Sequence, residues 1–343
     1  MKLRFSPPSV TTLVQEVPRL VAWRRRIEGA ARKGVVFWDE SLPLSWLAEI
    51  PGSRPLPAGE SCKRWHVLEA ALTHLAAARL PRTGSVIAVG GGATCDLTAM
   101  AASLYRRGVD LILAPTTLLS VIDAGVGGKT AVDLEESGRL LKNFAGSFHP
   151  AREVWICPEV LVTLSERERR SGVGELLKML WISRQRADLE GISAWIREGR
   201  IARGFWRQVR QALAAKVRIV ERDPLDRKGI RAALNYGHTV GHAMESLAGG
   251  KLSHGEAVAW GMWVESALVD RKFAQEVRQA LQFLDFADPR SVLAGDRADW
   301  EFALEGDKKS DGKKISLKVA TGRGLREVRK TPAQIADAAR AFL

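Results

Sequence analysis

Residues 85–119 read SVIAVGGGATCDLTAMAASLYRRGVDLILAPTTLL. Ser85 to Val89 is a short apolar, β-branched run ending at Gly90, Gly91 and Gly92, after which Asp96 to Tyr105 takes up helical apolar spacing. Strand, glycine turn and helix in that order bring a pyrophosphate against backbone N–H groups at a helix N-terminus, where the helix dipole favours negative charge. The glycines do not form GxGxxG, and a tight βα turn explains them about as well. Leu111 to Ala114 gives a second strand, and Pro115-Thr116-Thr117 a turn whose hydroxyls suit ribose or phosphate oxygens.

Working outward, Gly34 to Trp38 and Val154 to Cys157 also read as strands, with a helix from Trp65 to Leu80, so an α/β domain is expected over residues 1–163. From Ser165 onward the pattern is helical, opened by a capping box of Ser165 and Glu168 and interrupted by one hairpin from Lys314 to about Val328. Residues 164–343 are therefore expected as a second, helical domain. A chain of 343 residues, 46% of them hydrophobic, can bury a large core, and no internal repeat or low-complexity segment is present.

The helical half contains LNYGHTVGHAMESLAGGKLSHGE, Leu234 to Glu256, which holds three of the six histidines. His238 and His242 are four apart and share a helix face, while His254 follows a Gly-Gly-Lys loop that can return it to the same point. Neutral imidazole is the commonest protein ligand for zinc. Glu175, acidic within an apolar helical pattern (GVGELLKMLWI), is the natural further ligand. Three protein ligands and a water make an open, catalytic site. Two histidines at helical spacing also describe a partly buried polar face. HTVGH lacks the glutamate of HExxH, which disfavours a protease.

A third block runs from Asp123 through Gly127-Gly128-Lys129 to Leu141-Lys142-Asn143. It lacks the first glycine of a P-loop, so a nucleotide triphosphatase is disfavoured. A glycine turn presenting a lysine, with a Lys-Asn pair behind it, can hold anionic oxygens.

Composition fits a cytoplasmic enzyme. No stretch approaches the roughly 18 apolar residues of a membrane helix, and Pro7 and Pro8 stand where a signal peptide would place apolar residues. Three scattered cysteines (Cys62, Cys95, Cys157) argue against a disulfide framework. The net charge of +13 is spread among acidic residues without a nucleic-acid-binding motif, so a field that attracts an acidic small molecule is the simpler account.

Taken in order, GGGATCDL, YRRGV, PTTLL, D-x3-GGKTAV, LKN, GELLK, RAALNYGHTVGH and HGEAVAWGM closely resemble the 3-dehydroquinate synthase family, within the sugar-phosphate cyclases. The likeness runs from about Glu60 to Met262, with a weaker echo in residues 306–320. It implies a Rossmann-like NAD-binding N-terminal domain, a helical metal-binding C-terminal domain, and an active site in the cleft between them. It implies NAD and zinc, or another divalent metal such as cobalt, as cofactors, a phosphorylated sugar acid as substrate, and a homodimer. No nucleic-acid or membrane partner is expected. A different sugar-phosphate cyclase, or a metal-dependent glycerol-type dehydrogenase of the same fold, is the alternative.

The resemblance also assigns roles by motif position. Zinc falls to Glu175, His238 and His254. Lys178, His242, Lys129 and Asn235 become catalytic residues, with Lys178 near the substrate hydroxyls and His242 as a proton relay. NAD falls to Glu60, Lys63, Gly91, Gly92, Ala93, Thr94, Cys95, Asp96, Thr116, Thr117, Asp123, Lys129 and Lys142, and Asp39, which follows the strand GVVFW, is read either as a ribose partner or as a plain turn residue. The substrate anions fall to Arg107, Asn143, Lys216, Arg231, Lys308 and Lys309, with Arg231 and Asn235 expected along one helix face. The chain departs from the family at Cys95 (usually glycine), at Asp133 (usually asparagine), in a longer Lys129–Lys142 spacing, in the loop DPLDRKG, and over the first sixty residues.

Overall fold

The computed structural model describes residues 2–5, 11–136, 139–291, 296–305 and 314–342. The chain divides into two compact units, Met1–Thr163 with Lys216–Leu225, and Leu164–Ala215 with Asp226–Leu343. The stretch Lys216–Leu225, expected in the second domain, thus groups with the first.

In the first unit the elements run β1 (Lys2–Phe5), β2 (Thr12–Glu16), α1 (Leu20–Ala31), β3 (Gly34–Asp39), β4 (Arg54–Leu56), α2 (Trp65–Ala77), β5 (Ser85–Gly90), α3 (Gly92–Leu104), β6 (Asp110–Pro115), α4 (Leu118–Ile122), β7 (Lys129–Glu136), β8 (Arg139–Phe148) and β9 (Glu153–Ile156). Seven strands form one sheet in the order β1-β2-β9-β6-β5-β3-β4, parallel except for the antiparallel edge strand β1. Its central strands are apolar on both faces, as in Val86, Ile87, Ala88 and Val89, because helices cover a parallel sheet on both sides. Register brings Trp38 beside Val89 and Gly90 beside Pro115, so the strand ends at Asp39, Gly90 and Thr116 lie next to one another. In open α/β sheets ligands bind outside these carboxyl ends.

The first sixty residues extend this sheet. β2 pairs with β9, Trp23 Nε1 donates to the Trp155 carbonyl at 3.0 Å, and Trp23 packs edge-on to Trp46 at 6.4 Å. The block after Asp123 has the expected glycine turn, with Gly127 and Gly128 at positive φ before Lys129, and then runs as the antiparallel hairpin β7–β8, which is not expected from the sequence, with a register shift between Val132 and Leu134. Polar and charged residues interrupt its alternation, so the period-2 signal is weak there.

The second unit holds α5 (Glu166–Ile182), α6 (Leu189–Glu198), most of α7 (Arg203–Arg222), α8 (His238–Leu247), α9 (His254–Ala267), α10 (Arg271–Phe283), α11 (Arg297–Glu305), the hairpin β10 (Ile315–Thr321) and β11 (Gly324–Lys330), and α12 (Pro332–Phe342). The Ser165–Glu168 capping box is present. α9 is buried along most of its length. α5 crosses it so closely that a Cβ on Gly174 would lie 2.0 Å from the Gly255 carbonyl oxygen, and one on Gly255 would lie 1.8 Å from that of Ser171. α8 meets α9 the same way: a Cβ on Gly261 would lie 2.1 Å from the Gly237 carbonyl oxygen.

Gly255→Ala is therefore expected to lower stability by about 1–3 kcal/mol or more, since the obstructing atom is backbone and cannot rotate away. Gly29→Ala, exposed in α1 with open space around it, should raise stability by roughly 0.5–1 kcal/mol. Urea unfolding midpoints of the two variants check both signs, and equal midpoints would refute the close-crossing account.

Candidate functional site

The close crossings have a direct chemical result. Gly174 precedes Glu175 and Gly255 follows His254, so the contact that joins α5 to α9 sets these two side chains together. Gly237 precedes His238 at the start of α8. Ligating atoms of Glu175, His238 and His254 lie within 4.8 Å of one another. His238 Nε2 is 3.4 Å, and His254 Nε2 3.8 Å, from Glu175 Oε1.

Glu175 is fully buried, and neither carboxylate oxygen has a well-formed hydrogen bond, although Lys178 Nζ pairs with Oε2. Keeping an ionised carboxylate there costs several kcal/mol unless cations offset it. The imidazoles are oriented by their other nitrogens. His238 Nδ1 lies 3.3 Å from the Tyr236 carbonyl oxygen, which can only accept, and His254 Nδ1 lies 3.2 Å from Glu245 Oε2. Nδ1 then carries the proton, and the Nε2 lone pair faces the Glu175 carboxylate. Converging lone pairs with carbonyl and carboxylate partners behind them are the donor set of a divalent metal. The residues present fit zinc.

His242 is exposed, its ring centroid 5.4 Å from that of His238 and 5.9 Å from that of His254. Lys178 is buried. Arg231 and Asn235 do not share an α-helical face. Residues 231–235 form a 3-10 turn, in which positions three apart eclipse and positions four apart diverge; Arg231 is buried and Asn235 half-buried. Lys308 and Lys309 lie outside the described residues.

The glycine turn lies in the first unit. α3 begins at Gly92, four residues before the expected Asp96, and its N-cap Gly91 offers no side chain to the first-turn N–H groups of Gly92, Ala93 and Thr94. A long helix whose leading amides lack a side-chain cap accepts an anionic group. Asp39 ends β3 in both roles considered for it: Oδ1 takes the Ser41 N–H at 3.0 Å as a turn residue, while Oδ2 lies 3.5 Å from Thr94 Oγ1 beside the glycine turn. Thr116 is buried, its N–H bonded to the Gly90 carbonyl at 2.9 Å, and Thr117 caps α4. These features fit a dinucleotide.

Lys63 ties three segments together. Its Nζ donates to Asn143 Oδ1 at 2.6 Å and pairs with Asp96 Oδ2 at 2.6 Å. Burial disfavours its charge, but Asp96 and Glu60 outweigh that and hold the ammonium above its usual range. The Asp96 carboxyl is pushed up, chiefly by burial. Asn143 adopts φ 51° and gives its N–H to Asp133 Oδ1 at 2.7 Å, so the unusual Asp133 serves the bulge of the hairpin. Lys142, Lys129, Glu60 and Arg107 are exposed. Lys216, expected on a substrate anion, pairs with the Asp123 carboxylate, which was expected on NAD. Cys95 is buried, its thiol pushed up by desolvation, and Cys62 and Cys157 are also buried and free.

Two structural partners had no assigned role in the sequence: Glu245 behind His254, and Glu265, which contacts the backbone before His238. Glu245 lies seven residues after His238, two helical turns along the same face, which is the available signal. Glu245→Ala is expected to weaken binding of a divalent ion by about 10–100-fold, as loss of an outer partner of a ligating histidine does. Competition with a chromogenic chelator measures this, and unchanged affinity would remove Glu245 from the site.

The family model for the 3-dehydroquinate synthase N-terminal domain matches residues 54–171, and that for the C-terminal domain matches residues 172–310. A 3-dehydroquinate synthase of Methylacidiphilum infernorum (isolate V4) is 38% identical over 273 residues, covering 78% of this chain and 73% of the relative. Among solved structures, a 2-epi-5-epi-valiolone synthase from Streptomyces hygroscopicus subsp. jinggangensis 5008, with NAD+ and Zn2+ bound, superposes with a TM-score of 0.83 at 25% identity over 98% of each chain. A 2-deoxy-scyllo-inosose synthase complexed with carbaglucose-6-phosphate, NAD+ and Co2+ has the same fold, with a TM-score of 0.83 at 20% identity over 99% of this chain and 100% of that one. With both family domains matched in sequence and order, the chain belongs to the 3-dehydroquinate synthase family.

Proposed function

We propose that this chain converts 3-deoxy-arabino-heptulosonate 7-phosphate into 3-dehydroquinate and phosphate, by transient oxidation of a ring alcohol, phosphate elimination, reduction and intramolecular aldol closure. The observation that carries this reading is the buried Glu175 carboxylate facing His238 and His254, in a chain matched by both domains of the family. The glycine turn, Asp39 and Thr116 would hold NAD, and Glu175, His238 and His254 a zinc or similar divalent ion. When bound, these supply a reversible hydride acceptor and a Lewis acid for hydroxyl oxygens.

The chain's own residues do the rest. Lys178, its ammonium beside Glu175, offers a donor to substrate oxygens from a buried position, where a hydrogen bond is worth more than in water. His242 is exposed next to both metal-site histidines, as suits a group exchanging protons with solvent. Arg231 and Lys129 serve as anion holders, and the positive net charge favours approach of an acidic substrate. Assembly is as a homodimer in the cytoplasm, without nucleic acid. Three buried free cysteines support a reducing compartment, and among the described residues no helix is long and apolar enough to cross a membrane.

A glycerol-type dehydrogenase of this fold would make a different product. With NAD, zinc and the heptulosonate phosphate, the purified chain should release one phosphate per substrate with no net gain in absorbance at 340 nm. NADH accumulating in step with product, without phosphate, would overturn the reading. Arg231→Ala should lower kcat/KM roughly ten- to a hundredfold, the loss of a charge-assisted bond worth about 1.5–3 kcal/mol.

A further inference from the structure

Helix α8 begins at His238, and its N-cap has no side chain with which to cap it. That N-cap, Gly237, must be glycine: its φ is +80°, and a Cβ there would lie 2.5 Å from the Val258 carbonyl oxygen and 2.4 Å from Met262 Cγ. Other helices, α4, α5 and α9 among them, draw capping boxes from their own sequence. In α8 the corresponding bonds come from another helix. Glu265 of α9, 1% exposed, accepts the Gly237 N–H at Oε2 (2.8 Å) and the Val240 N–H at Oε1 (3.3 Å). These are the N-cap and N3 amides that a local capping box satisfies.

The same turn is tied to α9 on its other side. The buried Tyr236 hydroxyl contacts Ser266 Oγ at 2.5 Å and the Met262 carbonyl at 3.2 Å. The Tyr236 carbonyl in turn orients His238 Nδ1. A local serine cap, which the close approach at Gly237 excludes, would contribute about 1 kcal/mol without burying a carboxylate. What the arrangement from α9 adds is coupling. The helix that presents His254 at its first residue also holds, three turns later, the turn that presents His238.

We propose that Glu265 is a positioning residue for His238: its carboxylate fixes the start of α8 so that Nε2 faces Glu175 before any ion arrives. This rests on the reading of Glu175, His238 and His254 as a metal site. The test uses the full chain stripped of metal, as wild type, Glu265→Gln and Leu281→Ala, the last lowering stability by truncating a fully buried side chain of α10, a helix that bears no residue of the site. Gln keeps the shape but sets an amide donor against a backbone N–H. Zinc affinity is read by chelator competition, geometry by the visible spectrum of the cobalt(II) form, and stability by urea unfolding.

Glu265→Gln is expected to bind zinc about tenfold or more weakly and to alter the cobalt spectrum, while Leu281→Ala, though less stable, binds like wild type. If both variants bind zinc alike, Glu265 is a structural cap only and the proposal fails. A wild type that binds no zinc overturns the metal-site reading itself, and this proposal with it. Should Glu265→Gln not fold, amide exchange in metal-free wild type decides: protected Gly237 and Val240 amides support preorganisation, and amides that exchange freely until zinc is added overturn it.

Discussion

Backbone contact between helices is the constraint on which the second unit depends. Glu175 and His254 each sit next to a glycine of the crossing, and their atoms converge because the helices bearing them almost touch there. Gly174 and Gly255 permit that approach, as Gly237 and Gly261 do for α8 against α9. A methyl group at any of these positions would meet a carbonyl oxygen or an amide, groups already committed to helical bonding. The glycines therefore act on the chemistry through distance, although none of them bears a functional group.

In the first unit the organising feature is the line of strand ends. Pairing of β3, β5 and β6 sets Asp39, Gly90 and Thr116 side by side. The polar groups placed there are then held by buried charge. Lys63 spans from the segment before α2 to Asp96 of α3 and to Asn143 of the β7–β8 hairpin, and Asp96 and Glu60 keep it charged despite burial. One ammonium thus ties together three segments whose backbones share no sheet.

The parts legible in the sequence were those with a strong local signal. Val86 to Val89 and Leu111 to Ala114 are short apolar runs between turn residues, and the structure makes them central strands. Ser165 with Glu168 announced α5. His238, His254 and Glu175 could be grouped because helical spacing and an acid in an apolar pattern are visible without tertiary information. β2 and the β7–β8 hairpin were missed because their pairing partners are distant or their alternation is broken by charge. Arg231 and Asn235 were misplaced because a 3-10 turn and an α-turn look alike over five residues.

What stayed hidden has one physical cause: compensation supplied from a distance. Several local rules fail around the candidate sites. Gly237 gives α8 no cap, Asn143 takes a positive φ within a strand, and Glu175 is a carboxylate in a buried helix. Each failure is answered by residues far along the chain or on the partner strand: Glu265 for Gly237, Asp133 for Asn143, and, for Glu175, the two imidazoles that complete with it a donor set for a divalent cation. Sequence exposes the broken rule, because it is local. The answer to it depends on which helices and strands come together, and that follows only from the packing of the whole unit.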